Sequence, residues 1–510
     1  MASTFHSIET AKRSLFATRS GLGTLGHNIA NANTEGYSRQ RIDLRASRPI
    51  EAFGMSHSTA AGQIGTGVEA VAINRIRSSF LDVQYRDENK YVGNWEVRSD
   101  TLGKLEAVVN EPSDTGIRTV LDRFWTAWSD LSKDPENTTN REIVKQTSLA
   151  LVDSFNQTSK QLQSISDDLT GSIDTKVQQA NVLLHSIGDL NAQIKRIESL
   201  GDSANDLRDQ RDLYSDQLSK MMNVNVSEST DGYNISMGGT PLVQGTQVTD
   251  LTAASVEGAY SSGDLNNGEF YGLITSRDVY VKGYQDQLDT IAKTLAEGEI
   301  QVTIPKGAMY NGVTLTNDQV VTVNGINGLH KLGFTNEAGA TRGDDFFTFD
   351  TTSGAAGITA GSIRLNPAIV TDSNKIAVSM RTETTGSGVS VVKGNNALAL
   401  LISQMKDGKF SFDETATGGP VTSTTMGTFY NSMVGAIGIQ AQEANRQYEN
   451  ATTMMTQAES SRQSVSGVSL DEEMSNMIVF QNAYNAAARF MTVIDETLDK
   501  LINSTGTVGR

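Results

Sequence analysis

The chain has no cysteine among its 510 residues, so disulfide frameworks, thiolate nucleophiles and thiolate metal sites are all excluded. No apolar run approaches the roughly 20 residues needed to cross a bilayer, and MASTFHSIETAKRSLFATRSG at the start lacks the continuous apolar segment of a cleavable signal. Read alone, this suggests a cytoplasmic protein without membrane insertion; export by a route that uses no such signal is compatible with it. The five histidines, at 6, 27, 57, 185 and 330, have no ligand spacing, and neither HExxH nor Gly-x-Ser-x-Gly occurs. Metal, cofactor and nucleophilic-serine chemistry therefore have no footing in the sequence. Basic charge is also short. The formal net charge of -17 argues against nucleic-acid binding, which requires a concentrated basic surface. Proline is sparse, and residues 140–200 have none, which permits a long uninterrupted helix.

What the chain does have is the same pattern at both ends. Ile8, Ala11, Leu15, Thr18, Leu22, Leu25, Ile29 and Ala32 recur at alternating intervals of three and four. Met477, Phe480, Tyr484, Ala487, Met491, Ile494, Leu498 and Leu501 do the same near the finish. Each set is a heptad stripe, and such a seam is stable only against another seam, either the other terminus or the same element of a neighbouring chain. Ordinary amphipathic helices on a core give similar spacing, so periodicity alone leaves both readings open. Charge favours pairing of the ends: residues 1–50 carry seven Lys or Arg against three acids, whereas 470–510 carry six acids against three bases.

Between the ends, Asn31, Asn33 and Gly36 are suited to stop the first helix, and 39–77 reads as extended chain with some strand. Helices are expected from Ser79 to about Val109, closed by Glu111-Pro112-Ser113-Asp114, and from Gly116 to Leu131, where Trp125 and Trp128 share a face and read as core. A rod-like helix over 140–200 could extend roughly 90 Å, with a bend near Gly171. A shorter helix is expected over 204–222, then period-two strands through Val224, Val226, Tyr233, Ile235 and Met237 with a turn at Gly238-Gly239. Helix returns from Gly272 to Leu295. The following segment, with alternating runs at Gln301–Ile304, Gln319–Val323, Phe346–Phe349 and Lys375–Met380, reads as a β-rich insertion before helix resumes at 424–464.

Ser469-Leu470-Asp471-Glu472 has the form of a capping box that starts the terminal helix, a structural and not a catalytic role for its acids. Gly62 to Gly67 superficially resembles a phosphate loop but lacks its lysine and its strand–loop–helix setting, so a structural turn is the expectation. Asp344 and Asp345 form no EF-hand series and read as a solvated turn.

The segment Gly26-His27-Asn28-Ile29-Ala30-Asn31-Ala32-Asn33-Thr34-Glu35-Gly36-Tyr37-Ser38-Arg39-Gln40 resembles the N-terminal signature of bacterial flagellar rod, hook and hook-associated proteins. Ser466 to Glu473, Gln481-Asn482-Ala483-Tyr484, Ala486 to Arg489, Ala204 to Asp212 and Gly239 to Gly245 are similar to the hook-associated protein 1 family, the junction proteins between hook and filament. The resemblance covers roughly 1–295 and 425–505, and 298–424 carries no motif of the family. With the helical patterns above, it implies a multidomain, mainly α protein: 1–38 with 467–510 as a terminal axial helical domain with coiled-coil-like helices, and 39–297 with 425–466 as a helical rod with a small β element near 223–270, while the strand pattern itself gives 298–424 as an outer β-rich inserted domain. It further implies a non-catalytic adaptor that self-assembles into a ring between hook and filament, with a hook or filament subunit as the alternative. Expected partners are the chain itself, the hook protein, the second hook-associated junction protein and an export chaperone on the C-terminal helix. Flagellar export would carry the chain from the cytoplasm to the exterior. The assembly seam would comprise Ile8, Leu15, Leu22, Leu25, Ile29, Met477, Phe480, Tyr484, Met491, Ile494, Leu498 and Leu501.

Overall fold

The computed structural model describes residues 5–48, 65–109, 116–337, 339–353, 355–385, 388–412 and 422–503. The expected breaker at 111–114 and the glycines at 54 and 62 fall outside these residues. Helix α1 (Phe5–Ala30) leads through turns at 31–36 to the antiparallel pair β1 (Gln40–Ala46) and β2 (Val68–Arg75). Gly36 adopts φ 78°, and a Cβ there would sit 3.0 Å from Leu213, so both the turn and the close packing call for glycine. Helices α2 (Ser79–Val109), α3 (Ile117–Lys133), α4 (Thr138–Glu198) and α5 (Asn205–Met221) follow.

The 61 residues of α4 are helical throughout, with no break at Gly171. Its buried positions keep the three–four alternation along most of its length: Val144, Ser148, Leu151, Phe155, Ser159 and Leu162, then Leu169, Ile173, Val177, Ala180, Leu184, Ile187, Asn191 and Ile194. Serine and asparagine occupy several of these positions, which hid most of the stripe from a reading based on hydrophobicity.

The meander β3 (Val224–Ser229), β4 (Gly232–Met237), β5 (Thr240–Gln244) and β6 (Gln247–Val248) comes next, turning at Gly238 with φ 57°. Helix α6 (Ala253–Ser262) precedes a helical run that the sequence suggested was uniform. It comprises α7 (Glu269–Thr275), a π-helical turn at Ser276–Val281 and α8 (Lys282–Glu297). Beyond it lie the antiparallel pairs β7 (Glu299–Ile304) with β10 (Gln319–Asn324) and, between them, β8 (Met309–Tyr310) with β9 (Val313–Thr314). Helix α9 (Gly325–Leu332), the pair β11 (Phe347–Phe349) and β12 (Ile363–Leu365), helix α10 (Pro367–Thr371), the pair β13 (Thr382–Thr385) and β14 (Gly388–Val391), and helix α11 (Ala397–Gln404) follow. The pair β15 (Phe410–Phe412) and β16 (Thr422–Thr424) ends the β-rich insertion, and α12 (Met426–Ser466) and α13 (Leu470–Asn503) complete the chain. The expected strand at Lys375–Met380 is absent: Ile376, Ala377, Val378 and Met380 are all buried without alternation, and the segment makes an isolated bridge from Ser379 to Phe334 and single backbone hydrogen bonds to Met309 and Leu398.

The chain divides into two compact units. One comprises Met1–Asn94, Thr175–Tyr271 and Glu449–Arg510; the other comprises Trp95–Asp174 and Gly272–Tyr448. The second is built on aromatic packing. Trp128, fully buried on α3 as its spacing with Trp125 suggested, lies 5.4 Å from the Phe346 ring, which in turn lies 4.9 Å from Phe347. His330 joins this cluster. Its Nε2 accepts from the Ala377 N–H at 2.8 Å, so the ring proton resides on Nδ1, which donates to the Asp344 carbonyl. Burial pushes this imidazole down to about 4. Burial has the opposite effect on Asp289, pushed up to about 6 while it accepts from the Ala360 N–H at 2.8 Å. Asp345 pairs with Lys331 at 2.7 Å, and among the described residues no group of three or more His, Asp and Glu is placed to hold a metal ion.

Candidate functional site

The first unit brings the two ends of the chain together. A Cβ on Gly21 would lie 2.3 Å from the Phe480 ring, so the absence of a side chain at 21 is what admits that ring. Asn28 Nδ2 donates to Glu473 Oε2 at 2.9 Å. These contacts are seven residues apart on each helix and run in opposite order, which sets α1 and α13 antiparallel in a single register. Among the expected seam residues, the Gly21 contact sets Phe480 against α1. Leu25 and Ile494 are buried; Ile8, Leu15, Leu22, Ile29, Met477, Phe480, Met491 and Leu498 are half-buried; Tyr484 and Leu501 are exposed. A second apolar set on α13, which the heptad reading passed over, faces away from the seam: Met474, Ile478, Val479, Phe490 and Val493 are 47% to 62% exposed.

Asn28 ties this pair to the rest of the unit. It is fully buried, and its amide makes four hydrogen bonds. Nδ2 donates to the Gln40 carbonyl at 2.9 Å as well as to Glu473, while Oδ1 accepts from the Tyr37 hydroxyl at 2.8 Å and the Gln40 N–H at 3.0 Å. This uses the full capacity of an asparagine side chain. Glu473 is equally buried, and Arg39 Nε supplies its counter-charge at 2.7 Å. The Arg39 backbone N–H donates to the Ser466 carbonyl at 2.8 Å. Glu472, expected to reach back to Ser469, instead pairs with Arg39 at 3.0 Å, so the strongest local motif at the C-terminal end serves a contact across the chain. Burial raises the Tyr37 phenol far above its ordinary range, assisted by Asp206, Asp209 and Glu473, and keeps it a donor to Asn28.

Helix α5 supplies the opposing wall. Asp206 accepts from Gln40 Nε2 at 2.8 Å, and Asp209 accepts from the Ser38 N–H at 2.9 Å. One turn on, Arg75 bridges Asp209 at 2.7 Å and Asp212 at 2.8 Å, Arg77 reaches Asp82 at 2.8 Å and Asp212 at 3.5 Å, and Arg86 reaches Asp216 at 2.6 Å. Arg462 of α12 also binds Asp216, with its guanidinium 3.9 Å from the centre of the Tyr85 ring. Burial alone would raise the Asp212 carboxyl, but Arg77, Arg75 and Arg86 override it and hold Asp212 well below the usual carboxylate range. Burial prevails at Asp209, whose carboxyl is raised despite the neighbouring Arg75. A cavity of about 920 Å³ lies beside this network, lined among others by Tyr37, Tyr85, Leu213 and Met221. Several charged groups around it pair with one another: Lys176 with Glu269 at 2.6 Å, and Arg462 with Asp216 and Glu459. The arrangement fixes the positions of helices; it places no activated nucleophile beside a base.

These are the segments whose motifs stood out in the sequence, and comparison with known proteins accounts for them. A family model described as "Flagellar hook-associated protein FlgK helical domain" matches residues 102–299, and one described as "Flagellar basal body rod FlgEFG protein C-terminal" matches 460–504. Flagellar hook-associated protein 1 of Bacillus subtilis (strain 168) is 35% identical, with 100% of both chains covered. The chain belongs to the flagellar hook-associated protein 1 family. The Escherichia coli (strain K12) relative of the same name is 27% identical over 97% of this chain and 99% of its own. The flagellar hook junction protein FlgK from Burkholderia pseudomallei shares the fold, with a TM-score of 0.51 at 14% identity over 76% of this chain and 100% of that one. The signature around Asn28, the Asn205–Asp212 segment and the Leu470–Glu473 start of α13 thus form one hydrogen-bonded body. Their proximity left no trace in spacing, because the contacts span more than 160 residues of chain.

Proposed function

We infer that the chain is a structural adaptor of the bacterial flagellum, a non-catalytic axial subunit that self-assembles and joins hook to filament. The observation that carries this is 35% identity to hook-associated protein 1 along the entire length. The helical-domain match over 102–299 favours the junction protein over a hook or filament subunit. The chain is an extracellular flagellar component after secretion and interacts with hook and filament proteins as its family does. More specifically, we propose a ring of axial copies that contacts the hook protein on one side and the second hook-associated junction protein on the other, after flagellar export from the cytoplasm.

The proposed axial element is 1–38 with 467–510. The seam from Ile8 to Ile29 and from Met477 to Leu501 joins the terminal helices, and the outward residues of α13 meet neighbouring subunits. An exposed apolar stripe awaiting assembly invites premature association in the cytoplasm, which supports an export chaperone on the same helix. Deleting the gene should leave hooks without filaments and filament protein in the medium; missing hooks would refute the junction assignment. A chain ending at Ser466 should lose chaperone capture in a pull-down, and unchanged capture would refute that site.

A further inference from the structure

The sequence has four Asn-Gly steps, at 267–268, 311–312, 324–325 and 327–328. This dipeptide is prone to spontaneous deamidation because glycine leaves its backbone nitrogen unhindered beside the asparagine amide. The reaction requires a free side-chain amide, a free glycine nitrogen and local freedom to bring them together, and three of the four steps fail. Asn267 is buried and accepts from Asn94 Nδ2 at 2.9 Å, while the Gly268 N–H is turned to the same Oδ1 at 3.3 Å. The Gly325 nitrogen donates to the Gly298 carbonyl at 2.7 Å. Asn327 is buried on α9, with both ends of its amide held by the Phe347 backbone at 2.8 Å.

Asn311-Gly312 is different. It forms the two-residue turn between β8 and β9, with φ 47° and 80° and Tyr310 paired to Val313, the positive-φ geometry of a type I′ hairpin. Asn311 to Thr314 are all exposed, and among the described residues neither the Asn311 amide nor the Gly312 N–H enters a hydrogen bond. Each flanking strand is only two residues long, so opening the hairpin disrupts little packed structure.

We propose that Asn311 is a site of spontaneous deamidation. The Gly312 nitrogen, losing its proton to water, attacks Asn311 Cγ, and the side-chain nitrogen leaves as ammonia to give a cyclic succinimide. Water then opens the ring at either carbonyl, producing aspartate or isoaspartate and one additional negative charge. The isoaspartyl product lengthens the backbone at the turn and breaks the Tyr310–Val313 register, so the tip of this hairpin records the age of the molecule.

The test is incubation of the purified full chain in mildly alkaline buffer made with 18O-water, followed by peptide mapping with fragmentation that separates aspartate from isoaspartate. Asn311 is expected to take up label at least about tenfold faster than Asn267, Asn324 or Asn327, and the difference should vanish in denaturant, where local structure no longer protects them. Asn311→Gln should abolish the acidic charge variant, and Asn311→Asp should comigrate with it. Labelling at Asn311 no faster than at the three protected sites, or an acidic variant that persists in Asn311→Gln, would overturn the assignment.

Discussion

Replacing Asn28 with alanine tests whether the two termini are held by side-chain chemistry or by apolar seams alone. The substitution removes all four hydrogen bonds of a fully buried amide and strands the Gln40 N–H and C=O, the Tyr37 hydroxyl and one oxygen of Glu473. An unsatisfied buried polar group costs about 1–3 kcal/mol. Arg39 still neutralises Glu473 and the groups share one pocket, so the penalties do not simply add, and a loss of roughly 3–5 kcal/mol is expected. That is comparable to the whole stability of a marginal domain. The three tryptophans, Trp95, Trp125 and Trp128, all lie in the other unit, so their fluorescence should barely respond. Hydrogen exchange followed by mass spectrometry is therefore the assay: peptides from 5–30 and 470–503 should lose protection while those from 117–133 keep theirs. Asn28→Asp should be no milder, since it sets a second carboxylate against Glu473. Unchanged protection of both terminal helices in Asn28→Ala would refute the tie.

Gly21→Val should separate α1 from α13 at a cost of about 1–3 kcal/mol, because the Phe480 ring occupies the space its side chain requires; an unaltered exchange profile would contradict the register. Phe490→Asp should leave monomer unfolding within about 0.5 kcal/mol of the parent while filament attachment fails, and normal attachment would exclude the outward face of α13 from assembly. In the second unit, the lowered pKa of His330 gives stability that is complete above its ordinary 6.5 and lost as pH falls through about 4. The raised pKa of Asp289 gives stability that is complete below 3.8 and lost as pH rises through about 6. Each amounts to about 3 kcal/mol, and the two oppose each other between these limits. Asp289→Asn should unmask His330, so unfolding followed by tryptophan fluorescence should show stability rising from pH 4 to 6.5; a pH profile matching the parent's would refute the assignment.

The pattern of apolar residues by itself determined that this chain is mainly helical, that both ends carry amphipathic helices with three–four spacing, and where most helices begin and end. Local sequence sufficed because helix periodicity, proline and caps act within a few residues of chain. It also carried the family resemblance, since motifs such as Gly26–Gln40 are contiguous. Tertiary structure alone decided what those motifs do. Nothing in the spacing of Asn28, Arg39, Asp209 and Glu473 shows that they share one buried hydrogen-bonded body, because the energy of such contacts depends on position in space and on exclusion of water. The same physics turned Glu472 from a local cap to Arg39, buried the expected strand at Lys375–Met380 around His330, and hid the stripe of α4 behind serines and an asparagine. It also distinguished four identical Asn-Gly steps by the hydrogen bonds that only a folded chain can supply.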